Sequence, residues 1–183
     1  MIIVEGPDGA GKTTLINHLV ENTGLSVAPR VVSKDAEAMV DLKQWTEMNL
    51  AGGFQMKIFD RHRLISEPIY GPVLRSQPEP GFSEVLWFYE MIGQLYGEVR
   101  PMVIYCLPPW SVVWENIIKT EDNKRFHGNP QGSHQIYQAY FNKAITDHVL
   151  YPNAWMYDYS DDAAPEVLDI ITAAVLKEKL RDV

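Results

Sequence analysis

One stretch constrains this chain more than any other. The apolar run Met1-Ile2-Ile3-Val4 leads into Gly6-Pro7-Asp8-Gly9-Ala10-Gly11-Lys12-Thr13, which fits the phosphate-binding spacing G-x-x-x-x-G-K-[ST]. Thr14-Leu15-Ile16-Asn17-His18-Leu19-Val20 follows, with Leu15, Ile16, Leu19 and Val20 on one helical side. A buried strand, a glycine turn and a helix N-terminus in this order make an anion site. The glycines let phosphate approach the backbone, successive amides point inward, and the helix dipole adds partial positive charge. Gly6, Asp8, Gly9, Ala10, Gly11, Lys12, Thr13 and Thr14 are therefore the candidate phosphate-binding residues. Lys12 is placed to reach β- and γ-phosphates, and Thr13 to offer its hydroxyl to Mg²⁺. A glycine-rich turn matching by chance is the competing explanation, and the flanking strand and helix argue against it.

The remainder alternates between strands and helices. Thr23-Gly24 ends the first helix. Leu25–Ala28, with Val31-Val32 as an open continuation, offers a short second strand, and Lys34 to Leu50 reads as a helix broken by Ala51-Gly52-Gly53. Met56–Phe59 is a third strand. A helix over Ser83–Glu98 carries Leu86, Trp87, Met91 and Leu95 at burial spacing, so its aromatics read as core rather than as base-stacking groups. Met102–Leu107, apolar throughout and closed by Pro108-Pro109, suits a central parallel strand covered on both faces. Trp110–Lys119 and Gln135–His148 read as helices, Trp155–Tyr157 as a last strand, and Pro165 opens a final amphipathic helix. The expected fold is a three-layer α/β domain: a five-stranded parallel sheet with helices on both faces, spanning residues 1–183.

Two further pairs fall near the glycine loop. Asp60-Arg61 sits at the carboxyl end of the third strand, the edge where open α/β sheets bind ligands. Asp60 there could hold a Mg²⁺-bound water or polarise an acceptor hydroxyl, and Arg61 could clamp an acceptor phosphate bidentately; a local surface ion pair is the alternative. For His62, lining the site and packing against it are equally open readings. Lys124-Arg125 lies in the polar stretch Thr120–Gly128. Because Ala10 leaves the loop without an arginine, these cations are expected to close over the transferring group as a lid spanning about residues 120–134. The aspartates near residue 160 fit a turn and helix entry.

Composition excludes several classes. The net charge of −8 over 183 residues disfavours binding along a nucleic acid. Cys106 is the only cysteine, so no intramolecular disulfide forms, as in a reducing cytoplasm. No membrane span or signal sequence is expected. The guanine-reading Asn-Lys-x-Asp of switch GTPases is absent: Asn123-Lys124-Arg125-Phe126 and Asn142-Lys143-Ala144-Ile145 lack the aspartate.

With these residues assembled, the chain resembles the thymidylate kinase branch of the nucleoside monophosphate kinases. The loop Gly6–Thr14 is similar to that family's, including the acid at Asp8. Asp60-Arg61-His62, followed by Leu64, Ser66 and Tyr70, resembles its Asp-Arg-[Tyr/His] motif with about one extra residue of spacing. The resemblance implies transfer of the γ-phosphoryl of ATP to a deoxynucleoside monophosphate with Mg²⁺, in a protein that is often a homodimer. It implies that Asp8 faces the sugar 3′-hydroxyl, Arg61 holds the acceptor phosphate, Ser66 and Tyr70 line the acceptor site with Tyr70 against the 2′ position, and Lys124-Arg125 supply the lid cations. The family's Arg-Glu-Pro-Gly segment has only Ala28-Pro29-Arg30 as a remnant, and its thymine-reading Phe and Arg have no match around Leu42–Met48, where Trp45 is one candidate for stacking. The phosphoryl chemistry therefore carries over better than the base. A kinase of a deoxynucleoside or of a modified base hydroxyl in DNA, and a nucleotide-binding regulatory module without turnover, are the rival readings.

Overall fold

The structure, a computed structural model, describes residues 1–29, 43–54, 56–74, 82–120 and 129–181. Four parallel strands form one sheet in the order β2-β1-β3-β4: β1 Ile2–Glu5, β2 Ile58–Asp60, β3 Met102–Cys106 and β4 Ala154–Tyr157. β1 lies between β2 and β3, with Val4 opposite Asp60 on one side and opposite Ile104 on the other. Every residue of β1 and β3 is buried, as an apolar run covered on both faces requires.

The fifth strand expected at Leu25–Ala28 is reduced to a single bridge. Val27 pairs with Ile58, held by Ala28 N donating to Ile58 O at 2.7 Å and Ile58 N donating to Ser26 O at 3.0 Å. Residues 30–42, which include the Val31-Val32 continuation of this strand, lie outside the described residues. Among the described residues the sheet is thus four-stranded, flanked by a fragment of edge.

The helices are α1 Lys12–Thr23, α3 Arg63–Leu74, α4 Phe82–Gln94, α5 Trp110–Lys119, α6 Pro130–Leu150 and α7 Ala164–Arg181. Residues 43–48 are helical and run into a wider turn, Asn49–Gly53; together they are α2. A similar wide turn, Leu95–Val99, extends α4. α1 packs on α7, and α3 packs on α4 and α6. α6 starts five residues earlier than its apolar pattern indicated, because the Asn129 side chain caps it by accepting from Gly132 N at 2.9 Å and Pro130 opens its first turn. α3 tolerates Pro68 and Pro72 inside it. Among the described residues no helix is long and apolar enough to cross a membrane.

The core holds one deep polar knot. Asp147 of α6 is 1% exposed and accepts from Tyr105 at 2.5 Å, Tyr96 at 2.8 Å and Lys143 at 2.5 Å. It ties β3, the end of α4 and α6 together. Asp147→Ala strands the buried Tyr105 phenol, the half-buried Tyr96 phenol and a half-buried ammonium, so it is expected to lower the unfolding free energy by about 3 kcal/mol. Urea denaturation reads this directly; a loss under about 1 kcal/mol would show that the knot adds little.

Candidate active site

All four strand carboxyl ends open on one edge of the sheet, and β1 and β3 diverge there in their connections, which is where such sheets bind ligands. A cavity of about 720 Å³ occupies this edge. Its lining includes Asp8–Leu15 of the glycine loop and α1, Asp60 and Arg61 after β2, Asn116 of α5, and Tyr157 and Tyr159 at the end of β4.

The loop takes the shape its glycines allow. Gly6 has φ +138°, and a Cβ there would sit 2.5 Å from the Cys106 carbonyl oxygen. Gly11 has φ +81°, and a Cβ there would fall 2.7 Å from the Tyr159 ring. Lys12, 8% exposed, donates to Pro7 O at 2.6 Å across the curl of the loop. Burial, with the neighbouring Arg61 cation, lowers the Lys12 pKa to about 8. Thr13 and Thr14 are exposed at the cavity wall, Ala10 is buried in it, and Asp60 is half-buried.

Arg61 is the other centre of charge. It has φ +68°, a left-handed conformation that non-glycine residues rarely adopt. From there its Nη2 donates to Asp8 Oδ1 at 3.0 Å, to Tyr70 Oη at 2.6 Å and to Gly6 O at 3.3 Å. Tyr70 in turn donates to Asp8 Oδ2 at 2.9 Å, and the guanidinium lies 4.6 Å from the Tyr70 ring centre. Arg61 Nε is buried and makes no hydrogen bond. Burial opposes the Arg61 charge, yet Tyr70, Tyr140, Asp8 and Glu5 outweigh it and raise the pKa above its ordinary value. Burial would raise the Asp8 pKa; Arg61 and Lys12 beside it bring it below the usual carboxylate range. The surface pair considered for Asp60-Arg61 is not the arrangement found: the carboxylate 3.0 Å from Arg61 is that of Asp8, fifty-three residues away, and both partners are largely shielded from water.

The expected residues thus separate into groups. The glycine loop from Asp8 to Thr14, Asp60 and Arg61 share one cavity, Gly6 lies beneath it against the Cys106 carbonyl, and Tyr70 joins Asp8 and Arg61 through hydrogen bonds. Ser66 stands apart, donating to His62 O at 3.2 Å. His62 packs rather than lines: it is fully buried, its Nε2 is 3.1 Å from Asn49 Oδ1, and burial with nearby Arg63 lowers its pKa to about 3. Trp45, the stacking candidate, packs against Phe54, Phe59 and His62 at ring separations of 5.7–6.4 Å. Lys124 and Arg125 lie outside the described residues. Two contributors carried no sequence signal: Asn116 Nδ2 donates to Gly9 O at 2.8 Å and to Tyr159 Oη at 2.6 Å, so α5 and the loop after β4 brace the glycine loop from behind.

No protein-family model matches the sequence, and a search of curated proteins finds no match. Solved structures do match over the whole fold. Deoxyadenosine kinase from M. mycoides with bound dCTP has a TM-score of 0.63 at 18% identity, covering 100% of both chains. The same enzyme with dCMP and dCDP has 0.62 at 16%, covering 100% of this chain and 99% of the other. YorR from Bacillus subtilis in complex with phosphorylated GDP has 0.57 at 18%, covering 97% of each. The chain therefore shares the fold of these proteins.

Lys12 gives a signed pH test. A folded-state pKa depressed to about 8 means that Lys12 is largely neutral near pH 9 in the free protein. An anion bound beside Lys12 would favour its charged form, so binding would take up a proton between that value and the ordinary lysine range. Calorimetry of ATP binding at pH 9 in buffers of different ionisation enthalpy should register about half a proton or more taken up. Buffer-independent heats would show that Lys12 is already charged.

Proposed function

We propose that the protein transfers the γ-phosphoryl of ATP to the phosphate of a deoxynucleoside monophosphate, giving the diphosphate. The observation that carries this reading is the Asp8–Arg61–Tyr70 cluster beside the phosphate loop, with Arg61 Nε–H buried and unpartnered. A buried donor on a fixed cation calls for an anionic oxygen, and an acceptor phosphate one step from the loop supplies it.

In this reading the loop amides and Lys12 hold the donor phosphates, and Arg61 holds the acceptor phosphate in line with them. Phosphoryl transfer needs little covalent help, so fixing two polyanions together and neutralising their repulsion is most of the catalysis. Asp8 and Tyr70 orient Arg61 and face the acceptor sugar. Lys124-Arg125 supplies further positive charge. Mg²⁺ typically takes one or two protein oxygens plus phosphates and waters, and a hydroxyl and a carboxylate on the cavity wall are donors of that kind. Thr13 and Asp60, both on the cavity wall, would hold it, and the ion would neutralise charge on the transferring group.

A second reading, phosphorylation of a nucleoside hydroxyl, is favoured by the occupied Nη2 of Arg61 and by likeness to a deoxyadenosine kinase. Asp60 would then accept the hydroxyl proton.

A panel of deoxynucleoside and ribonucleoside monophosphates and free nucleosides, assayed for ADP release from Mg·ATP, separates the two. Turnover on a monophosphate, with Arg61→Ala raising that acceptor's KM about tenfold to a hundredfold and leaving the KM for ATP within twofold, supports the first reading. Turnover on unphosphorylated acceptors alone favours the second, and no turnover on any acceptor defeats both.

A further inference from the structure

Glu5 ends β1 immediately before the phosphate loop, is fully buried, and lies outside the cavity lining. A carboxyl group in such a position normally has to be accounted for by its partners. Its Oε1 accepts from His62 N at 2.6 Å and its Oε2 accepts from Tyr140 Oη at 3.0 Å. The first partner is the amide directly after Arg61. The amide of Arg61 itself donates to Val4 O at 2.9 Å. Both amides that bracket the left-handed residue are therefore fixed to the end of β1, one through backbone and one through the Glu5 side chain.

The second partner closes a circuit. Tyr140 belongs to α6 and meets the Tyr70 ring edge-on at 5.9 Å, and Tyr70 donates to Asp8 and accepts from Arg61. Glu5 thus holds the turn that bears Arg61 and the helix that backs Tyr70 at the same time. A left-handed arginine persists only where its surroundings over-determine it, and the bond from His62 N is the side-chain contribution to that determination.

We infer that Glu5 is a positioning residue that keeps Arg61 in its left-handed conformation and so aims the guanidinium at the acceptor side of the site. The effect on acceptor kinetics rests on the phosphotransfer reading above; the effect on Arg61 itself does not. Filling space in the core is the competing role, and shape alone then matters.

Glu5→Met is close in length and removes both acceptor oxygens, so His62 N loses its side-chain partner; Glu5→Gln keeps one oxygen for that bond and is the conservative variant. Tyr140→Phe removes only the hydroxyl and leaves the bond to His62 N. The exchange rate of the Arg61 Nε–H proton, resolved by ¹H–¹⁵N NMR and assigned with Arg61→Lys, reports the order of Arg61 without any acceptor. Glu5→Met should speed that exchange at least tenfold, and Glu5→Gln and Tyr140→Phe less, with the acceptor KM rising in the same order and the KM for ATP within twofold. Wild-type exchange in Glu5→Met, or a fall in Tm without faster exchange, would overturn the inference. If the wild-type protein turns over no acceptor, the assigned reaction fails, and the exchange measurement still decides the role of Glu5.

Discussion

Parallel pairing on both sides of β1 is the constraint on which the rest depends. Because Ile2–Glu5 is hydrogen-bonded to β2 and to β3 in register, the residues that follow each strand emerge at one edge. Asp8 to Lys12 and Asp60-Arg61 share one cavity for this reason, and the pairing of β4 with β3 brings Tyr157 and Tyr159 to it. The burial that makes the pairing stable also makes it exacting. With both faces covered, a polar residue at the end of β1 must find its partners inside the protein, and Glu5 finds them in the next turn and in α6.

That same economy governs the charges. Arg61, Asp8, Lys12 and Glu5 are brought together in a largely dehydrated space, where any one alone would be costly. Lys12 and Glu5 show the strain: the lysine is pushed down to about 8 and the glutamate up to about 7, burial being the main cause in each. Arg61 and Asp8 respond in the opposite sense, each held charged by the other. An anion arriving at the loop would meet two cations of which one, Lys12, gains in proton affinity from the encounter.

Much of this was readable beforehand. The glycine loop, the strand before it and the all-apolar β3 follow from spacing and hydrophobicity, which are local properties. Asp60-Arg61 could be placed at the correct edge because a strand end fixes its position. What spacing does not carry is which partner a side chain takes across the sheet. Asp8 and Arg61 each stood out, but their pairing depends on φ +68° at Arg61, which no arginine announces. Tyr159 and Asn116 looked like an ordinary turn residue and an ordinary helix residue; only the proximity of their chain segments makes them a brace. The burial of Trp45 and His62 is set by Phe54 and Phe59 approaching from the turn after α2 and from β2.

Stability does not explain Arg61. A left-handed backbone costs an L-residue roughly 1–2 kcal/mol that glycine would not incur, and the side chain buries an Nε–H with no partner, a further penalty of about 1–3 kcal/mol. An apolar residue on a relaxed turn would avoid both. The guanidinium recovers part of this through Asp8 and Tyr70, yet those two groups would themselves need no cation if the site were only scaffold: Tyr70 could bond Asp8, and Asp8 could face solvent. Trp45 Nε1, Asn49 Nδ2 and Trp155 Nε1 are also buried donors without a partner among the described residues. What sets Arg61 apart from them is its fixed charge, its left-handed backbone and its place on the wall of the cavity.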